Sequence, residues 1–204
     1  MTPHPLTRRA TLVGALSLLS GCAAVSALSG GGRALDTYDL TPSSTPAQGK
    51  RSARTLVVAR PEAPAAIVSD RILVKPDPRS VTYLPGARWS AEAPLLVQSL
   101  LVRSISATGR MGYVGQVENG PAAEQVLLAR LDAFQVDADP SRNLVARVDL
   151  ALSLLSDADQ TLIASRSFAG SARAEGDSAA AIVAAFQTVM NQILPEAANW
   201  VADT

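Results

Sequence analysis

The sequence predicts a single α/β domain, in which a mixed β-sheet with an antiparallel C-terminal meander is packed by two main amphipathic helices. Residues 144–156 alternate apolar and polar side chains, a period of two that indicates a half-buried antiparallel strand. The neighbouring segments 126–137 and 161–172 are predicted as its partner strands. Two further segments, beginning near Ser90 and Ser178, place apolar side chains every three or four residues, as helices with one buried face do.

Short β-branched and apolar runs in the first half of the chain supply the remaining strands. Proline-rich breaks bound these runs, so we expect strands at residues 36–40, 55–59, 71–75 and 80–84. Pro85-Gly86 is expected to stop the fourth strand, because proline lacks the N–H that a ladder needs. One more short strand is predicted at residues 111–114, after the first helix.

Capping residues set the expected limits of the two helices. The first helix is predicted to begin near Ser90, a favourable N-cap, and to end at Gly109. The second helix is predicted to begin at Ser178, and Pro195 is expected to kink or end it. Both apolar faces are expected to pack against the sheet.

Charged residues lie on the polar side of two neighbouring strands of the predicted meander. Arg130 and Asp132 belong to one strand, and Arg147 and Asp149 belong to the next. We interpret them as a solvated sheet face whose charges could pair across the ladder.

The N-terminus has the pattern of a bacterial lipoprotein signal. The basic pair Arg8-Arg9 precedes an uncharged stretch, residues 10–20, which falls short of the roughly 20 apolar residues that a membrane-spanning helix needs. The stretch ends in Leu19-Ser20-Gly21-Cys22, which resembles the lipobox of bacterial lipoproteins. There the cysteine thiol takes a diacylglycerol, and the new amine is acylated, for example with palmitate.

We therefore predict a lipoprotein signal peptide at residues 1–21, lipidation at Cys22, a flexible tether at residues 22–35 and one domain at residues 36–204. Glycines at residues 30–32 favour a coil-like tether between lipid and domain. An ordinary secretory signal remains the alternative, and export by either the general or the twin-arginine route fits the sequence.

The mature chain offers no recognisable catalytic arrangement. If Cys22 carries lipid, no free thiol remains, and the sole histidine, His4, leaves with the signal peptide. These losses exclude cysteine and histidine nucleophilic sites and histidine metal ligands. Asp157 and Asp159 fall in a predicted hairpin turn, where aspartate serves local backbone hydrogen bonding. We expect no enzyme, no cofactor and no metal.

The charge balance also narrows the choice of partner. Without Arg8 and Arg9 the chain keeps 16 basic and 18 acidic residues, a formal charge of −2, which gives no reason to expect nucleic acid. A candidate partner contact lies at Tyr83, Arg88 and Trp89, around the Pro85-Gly86 turn. The alternative is that Trp89 packs structurally over the start of the first helix.

The order of several diffuse motifs resembles the ABC-type transport auxiliary lipoprotein family over about residues 36–201. The motifs are the lipobox, Tyr38-Asp39-Leu40 with Pro42, Arg71-Ile72-Leu73-Val74, Tyr83, Arg88-Trp89 running into residues 95–101, and the final amphipathic helix ending in Trp200-Val201. The resemblance implies a periplasm-facing lipoprotein, usually on the outer membrane. Such a protein works beside mammalian-cell-entry (MCE) domain proteins and an ABC permease and ATPase that move lipids. It supplies no catalytic residues.

From this resemblance we expect a non-enzymatic accessory, anchored by lipid, that docks a lipid transporter at the outer membrane. Ala23 after the lipidated cysteine agrees with outer-membrane sorting, because the inner-membrane retention signal is typically aspartate there. The contact is expected at a sheet edge or in the Tyr83/Trp89 region, and assembly into a dimer or ring is compatible with the sequence. The alternative is an independent envelope-assembly or lipid-binding lipoprotein with an apolar groove between sheet and helix.

Overall fold

The computed structural model describes residues 34–43, 49–117, 122–138, 141 and 143–204, and Leu35–Thr204 form one compact unit. Its eight-stranded mixed sheet and two helices confirm the predicted α/β class. The strands are β1 (Asp36–Tyr38), β2 (Thr55–Val58), β3 (Arg71–Asp77), β4 (Ser80–Trp89), β5 (Tyr113–Gln116), β6 (Gln125–Ala138), β7 (Leu144–Ser156) and β8 (Leu162–Arg173). The helices are α1 (Ala93–Ala107) and α2 (Ala179–Asp203).

The long strand β6 organises the sheet. One edge of β6 pairs antiparallel with β7 along its whole length. The other edge is shared, because β2 pairs parallel with its first residues and β3 pairs parallel with its last. Between them Glu62 bridges Arg130, so β2 and β3 together behave as one interrupted strand along β6. The sheet thus divides into one branch through β3, β4 and β1 and another through β2 and β5.

The C-terminal meander has the alternation that the sequence predicts. The side chains of β7 that face the core belong to Ala146, Val148, Leu150, Leu152 and Leu154, all at most 1% exposed. Both helices cover this face, α2 over β7 and β8 and α1 over β2 and β5. The opposite, helix-free side of the sheet is called the outer face below. The hairpin turn between β7 and β8 includes Gln160 at φ 54°, which confirms the predicted turn.

The first helix begins later than the sequence suggests. Its N-cap is Glu92, which makes no side-chain capping bond, and Ser90 instead donates its backbone N–H to the carbonyl of Tyr38. The prediction that Ser90 is the N-cap is wrong, because its N–H belongs to the hydrogen bonding of β1, and the helix begins three residues later at Ala93. The predicted end is confirmed, because Thr108 caps α1 and Gly109 adopts φ 63°.

The fourth strand runs past the turn that was expected to stop it. Gly86 has φ 73°, and the register between β3 and β4 shifts between the Leu73–Tyr83 pair and the Arg71–Arg88 pair. Pro85-Gly86 therefore forms a bulge, which absorbs extra residues and lets the strand continue to Trp89.

The second helix begins as predicted and continues through its proline. The Ser178 hydroxyl accepts a hydrogen bond from the backbone N–H of Ala181, which confirms the N-cap. Pro195 lies inside the helix, with buried Leu194 and Ala197 on either side. The expectation that Pro195 ends the helix is wrong, because core packing beyond the proline holds the last turns in place. In the described part of the chain, neither helix is both long and apolar enough to span a bilayer.

We expect Pro195→Ala to raise the free energy of unfolding by about 1–2 kcal/mol. Proline in a helix interior is about 3 kcal/mol less favourable than alanine, because its N–H is missing and its ring crowds the preceding turn. Part of that gain is offset by lost contacts, since Pro195 is half-buried. Urea denaturation would measure the change, with the exposed neighbour Gln192→Ala as the control. A lower midpoint for Pro195→Ala would contradict the prediction.

Candidate interaction surface

Trp89 lies in the core and not on the surface. Its side chain is 1% exposed, and its ring centroid is 5.5 Å from that of Phe134 and 5.2 Å from that of Phe186. The two phenylalanine rings lie 4.9 Å apart, so β4, β6 and α2 each contribute one ring to an aromatic cluster. The prediction of a partner contact at Trp89 is therefore wrong, and the structural alternative describes this residue.

The aromatic cluster also bears on the predicted apolar groove between sheet and helix. Phe134 and Phe186 are 1% and 0% exposed, and they fill the space between β6 and α2 together with Trp89. The same layer continues through Leu100, Leu101 and Met190. Protein interiors are close-packed, and this buried layer fills the space between β6 and α2, which is part of the interface where the groove was expected.

Tyr83 is half-buried and packs against the core from β4. Its hydroxyl donates to the carbonyl of Ala66 at 3.2 Å, which ties the strand to the loop before β3. The Arg71 guanidinium lies 6.0 Å from the ring centroid and donates to the carbonyl of Leu84. These contacts give Tyr83 a structural role in joining β3, β4 and the preceding loop.

Arg88 is the member of the predicted trio that lies on the surface. Its side chain is 47% exposed, and because neighbours in a strand point to opposite faces it lies on the outer face while Trp89 enters the core. Its Nε donates to the Thr37 hydroxyl at 3.1 Å, and its Nη1 is 3.6 Å from an Asp70 carboxylate oxygen. The structure thus separates the three predicted residues, and Arg88 ties β1 to β4.

The outer face of the meander carries charge pairs within strands. Arg130 Nε donates to Asp132 at 2.8 Å, and Arg147 Nη2 donates to Asp149 at 2.6 Å. The suggested pairing across the ladder does not occur. A register shift at Asp132 places Arg147 opposite Gln135. The predicted solvated charged face is confirmed, because the side chains of Arg130, Asp132 and Arg147 are exposed and that of Asp149 is half-buried.

Hydrogen bonds within these pairs shift the pKa of Asp132 and the pKa of Arg147, each in the direction that favours the charged form. The hydrogen bond from Arg130 lowers the pKa of the Asp132 carboxyl, and the hydrogen bond to Asp149 raises the pKa of Arg147. Both effects favour the charged form of the group concerned, so Asp132 contributes negative charge and Arg147 positive charge to the outer face.

The outer face contains two open cavities, each lined by both acidic and basic side chains. One cavity of about 550 Å³ is lined by residues that include Asp137, Arg147, Asp149 and Ser171. A neighbouring cavity of about 220 Å³ shares Asp137 and Arg147 and adds Lys75. Among the described residues, no group of three or more His, Cys, Asp or Glu side chains is placed to hold a metal ion. The face offers polar contacts to a partner.

The turn aspartates act locally, as their position in the sequence predicts. The Thr161 hydroxyl donates to Asp159 at 2.9 Å, and the Gln160 amide donates to the carbonyl of Asp157 at 2.8 Å. The hydrogen bond with Ser156 is the main cause that lowers the pKa of Asp159. Asp157 and Asp159 therefore stabilise the hairpin turn between β7 and β8.

The sheet ends in strands whose outer edges have no partner among the described residues. β8 pairs along its length with β7 alone, β1 pairs with β4 alone, and β5, at the end of the other branch, pairs with β2 alone. Hydrophobic periodicity identifies strands but not their order in a sheet, so the sequence pattern carries no signal for these particular edges. Cys22 and most of the predicted tether lie outside the described residues, and lipidation there remains a prediction.

Comparison with solved structures places the fold among a class of small α/β domains. The crystal structure of a Xanthomonas campestris protein of the DUF330 family matches with a TM-score of 0.77 and 27% sequence identity, over 82% of this chain and 95% of that one. The crystal structure of an uncharacterised protein matches with a TM-score of 0.61 and 14% identity, over 83% of this chain and 97% of that one.

The family follows from the sequence model of the ABC-type transport auxiliary lipoprotein component, which matches residues 38–198. The chain belongs to this family, which confirms the resemblance seen in its motifs. The family is one of transport auxiliary lipoproteins and is not a known enzyme family. No protein with curated annotation matches the chain significantly.

Proposed function

We propose that this chain is a non-enzymatic accessory of an ABC transport system of the MCE type, which moves lipids between membranes. The lipid on Cys22 holds it in the outer membrane, and the folded domain faces the periplasm. There it docks the MCE-domain protein, and through it the permease and ATPase.

The observation that carries this proposal is the family match over residues 38–198, which spans nearly all of the folded unit. The lipobox at residues 19–22 supports anchoring, and Ala23 supports outer-membrane sorting. The charged outer face supports a docking role, because interface rims use complementary polar groups to orient a partner.

Affinity purification of the tagged full-length chain from detergent-solubilised membranes tests the proposal. An MCE-domain protein and the permease and ATPase of one ABC transporter should be recovered together with the chain. A tagged lipoprotein of another family, expressed at the same level, is the matched control. Density-gradient separation of the two membranes should place the chain in the outer-membrane fraction.

Two outcomes would argue against this function. Recovery of no transporter component, from cells in which the MCE system is expressed, would contradict the docking role. Recovery of stoichiometric lipid with the chain alone would favour an independent lipid-binding lipoprotein. The close-packed layer around Phe134 and Phe186 argues against that alternative.

A further inference from the structure

Near the hairpin turn between β7 and β8, the outer face of the sheet carries an apolar band made of Val57, Val126, Leu128, Leu155, Leu162 and Ile163. Among the described residues, seven large apolar side chains are exposed, and three of them, Leu128, Leu162 and Ile163, lie together on this band. Leu162 is 62% exposed, the largest exposed fraction in that set. Contiguous exposed apolar patches on a folded domain mark surfaces that contact another molecule.

The strand pairing sets most of the band in one row. Val57 of β2 pairs with Val126 of β6, and Val126 pairs in turn with Leu155 of β7. Leu155 pairs with Leu162 of β8, so one apolar row crosses four strands. The adjacent residue Leu127 is fully buried in the core, and neighbours in a strand point to opposite faces, so the row lies on the outer face.

Two further side chains widen the row. Leu128 is two residues beyond Val126 on β6, so it lies on the same face, and it is 42% exposed. A register shift adds Ile163 as an extra residue beside Leu162, as a β-bulge does. The next residue, Ala164, pairs with core-facing Leu154, so Ile163 lies on the outer face as well.

A cavity at the border of the band has room for a side chain of a partner. Its volume is about 350 Å³, and Leu128, Ala151 and Ser153 line it together with Glu62 and Arg130. It lies between β2 and β3, where the Glu62–Arg130 bridge alone joins this stretch to β6 among the described residues. Protein interfaces centre on apolar anchors that fill such pockets and are bordered by polar groups.

The border of the band toward the hairpin turn is acidic. The backbone N–H of Asp157 donates to the carbonyl of Glu124 at 2.9 Å, so these two exposed residues are neighbours, and Asp159 follows in the same turn. Arg54, just before β2, turns instead toward α2, where it donates to the carbonyl of Ala202 at 3.2 Å. This border therefore favours a partner that brings basic residues.

We propose that the apolar band is the surface on which the transport partner docks, through an apolar segment that carries lysine or arginine on the flank facing Glu124 and Asp157. The inference rests on the proposed transport role and names the surface that serves it. Apolar side chains supply the buried centre of the contact, and the charges orient the partner. The acidic border favours such a segment over an anionic membrane surface, which attracts basic and not acidic residues.

Substitutions in the band of the tagged full-length chain test this surface. Leu128→Asp and Leu162→Asp should each lower the recovery of the MCE-domain partner from solubilised membranes at least about tenfold, because each places a charge in the apolar centre of the contact. Val81→Asp is the matched control and should leave recovery unchanged, since Val81 is 51% exposed but lies on β4, outside the band. Thermal unfolding of each variant checks that the domain stays folded.

Charge reversal tests the acidic border. Glu124→Lys combined with Asp157→Lys should lower the recovery about fivefold, with a larger loss at low ionic strength, because attraction across the contact becomes repulsion. Glu175→Lys is the control and should have no effect, because Glu175 follows the far end of β8. Equal recovery by the double variant and by Glu175→Lys would contradict the proposed orientation of the partner.

Photocrosslinking identifies the molecule that occupies the band. Benzoylphenylalanine in place of Leu162 should form an adduct with the MCE-domain protein, and the same group in place of Val81 should not. Adducts with lipid alone or with a second copy of the chain alone would overturn the proposal, as would equal recovery of the partner by Leu128→Asp, Leu162→Asp and Val81→Asp. If the unsubstituted chain recovers no transporter component, the transport role itself fails, and this surface loses its partner with it.

Discussion

Replacing Trp89 with alanine is expected to lower the free energy of unfolding by about 3–5 kcal/mol, the usual cost of emptying a large aromatic site in a core. Trp89 is among the largest fully buried side chains of the domain, and its removal would open a cavity between β4, β6 and α2. The edge contact with Phe186 and the tilted contact with Phe134 would be lost as well. For a domain of this size the melting temperature should fall by roughly 6–20 °C.

The neighbouring Arg88 provides a matched control for this experiment. Arg88→Ala removes a surface hydrogen bond and a long ion pair, so we expect a change of about 0.5 kcal/mol or less. Trp89→Phe should recover part of the loss, because it retains a ring in the cluster. Circular dichroism during thermal unfolding gives the measurement. Equal stability of Trp89→Ala and Arg88→Ala would mean that Trp89 is not a core residue.

The strands and helices with strong periodicity were predictable from the sequence. The alternation of β7 and the apolar stripes of α1 and α2 each reflect one buried face, and that signal is local. The caps at Ser178 and Gly109 were equally accessible, since each rests on the chemistry of one or two residues. Local rules were sufficient where the local preference and the tertiary structure agree.

The wrong predictions arise where the fold overrides a local signal. Pro85-Gly86 has the composition of a turn, but pairing with β3 and β1 on both sides turns it into a bulge. Whether Pro85-Gly86 forms a turn or a bulge determines where the Trp89 side chain lies. If β4 stopped at Leu84, the tryptophan would lie in a loop; because the strand continues, Trp89 pairs opposite Tyr38 on the core face. At Pro195 the fold overrides a local signal in the same way. The packing of its buried neighbours outweighs the free-energy cost of a proline inside a helix, so α2 continues.

The candidate surface was less predictable than the fold for a physical reason. Sheet order depends on contacts between residues far apart in the sequence, such as the pairing of β2 and β3 with opposite ends of β6. No local pattern reveals which strands keep a free edge. The polar residues of the outer face were visible as alternation, but the bulge at Asp132 decided which of them meet.

Cys22→Ala is expected to release the chain from the membrane and to abolish its activity in cells, while the domain stays folded. Cys22 is the sole cysteine, so no other residue can replace the acceptor thiol. The folded unit begins at Leu35, so the substitution lies outside it and should leave thermal unfolding unchanged. Membrane fractionation should move the chain from the membrane pellet to the soluble periplasmic fraction. A single acyl chain already gives only marginal membrane binding, and complete loss of lipid should leave almost none.

Ser26→Ala, in the predicted tether, is the matched control and should remain in the membrane with full activity.

A restored lipid anchor tests whether activity requires membrane attachment or the Cys22 residue itself. A Cys22→Ala chain fused behind the signal and first residues of another outer-membrane lipoprotein should regain activity, because the proposed role of Cys22 is to confine the domain to a surface. Full activity of the soluble variant would show that confinement is dispensable. The domain would then have to recognise its partner strongly enough from solution, through contacts such as its outer face and sheet edges.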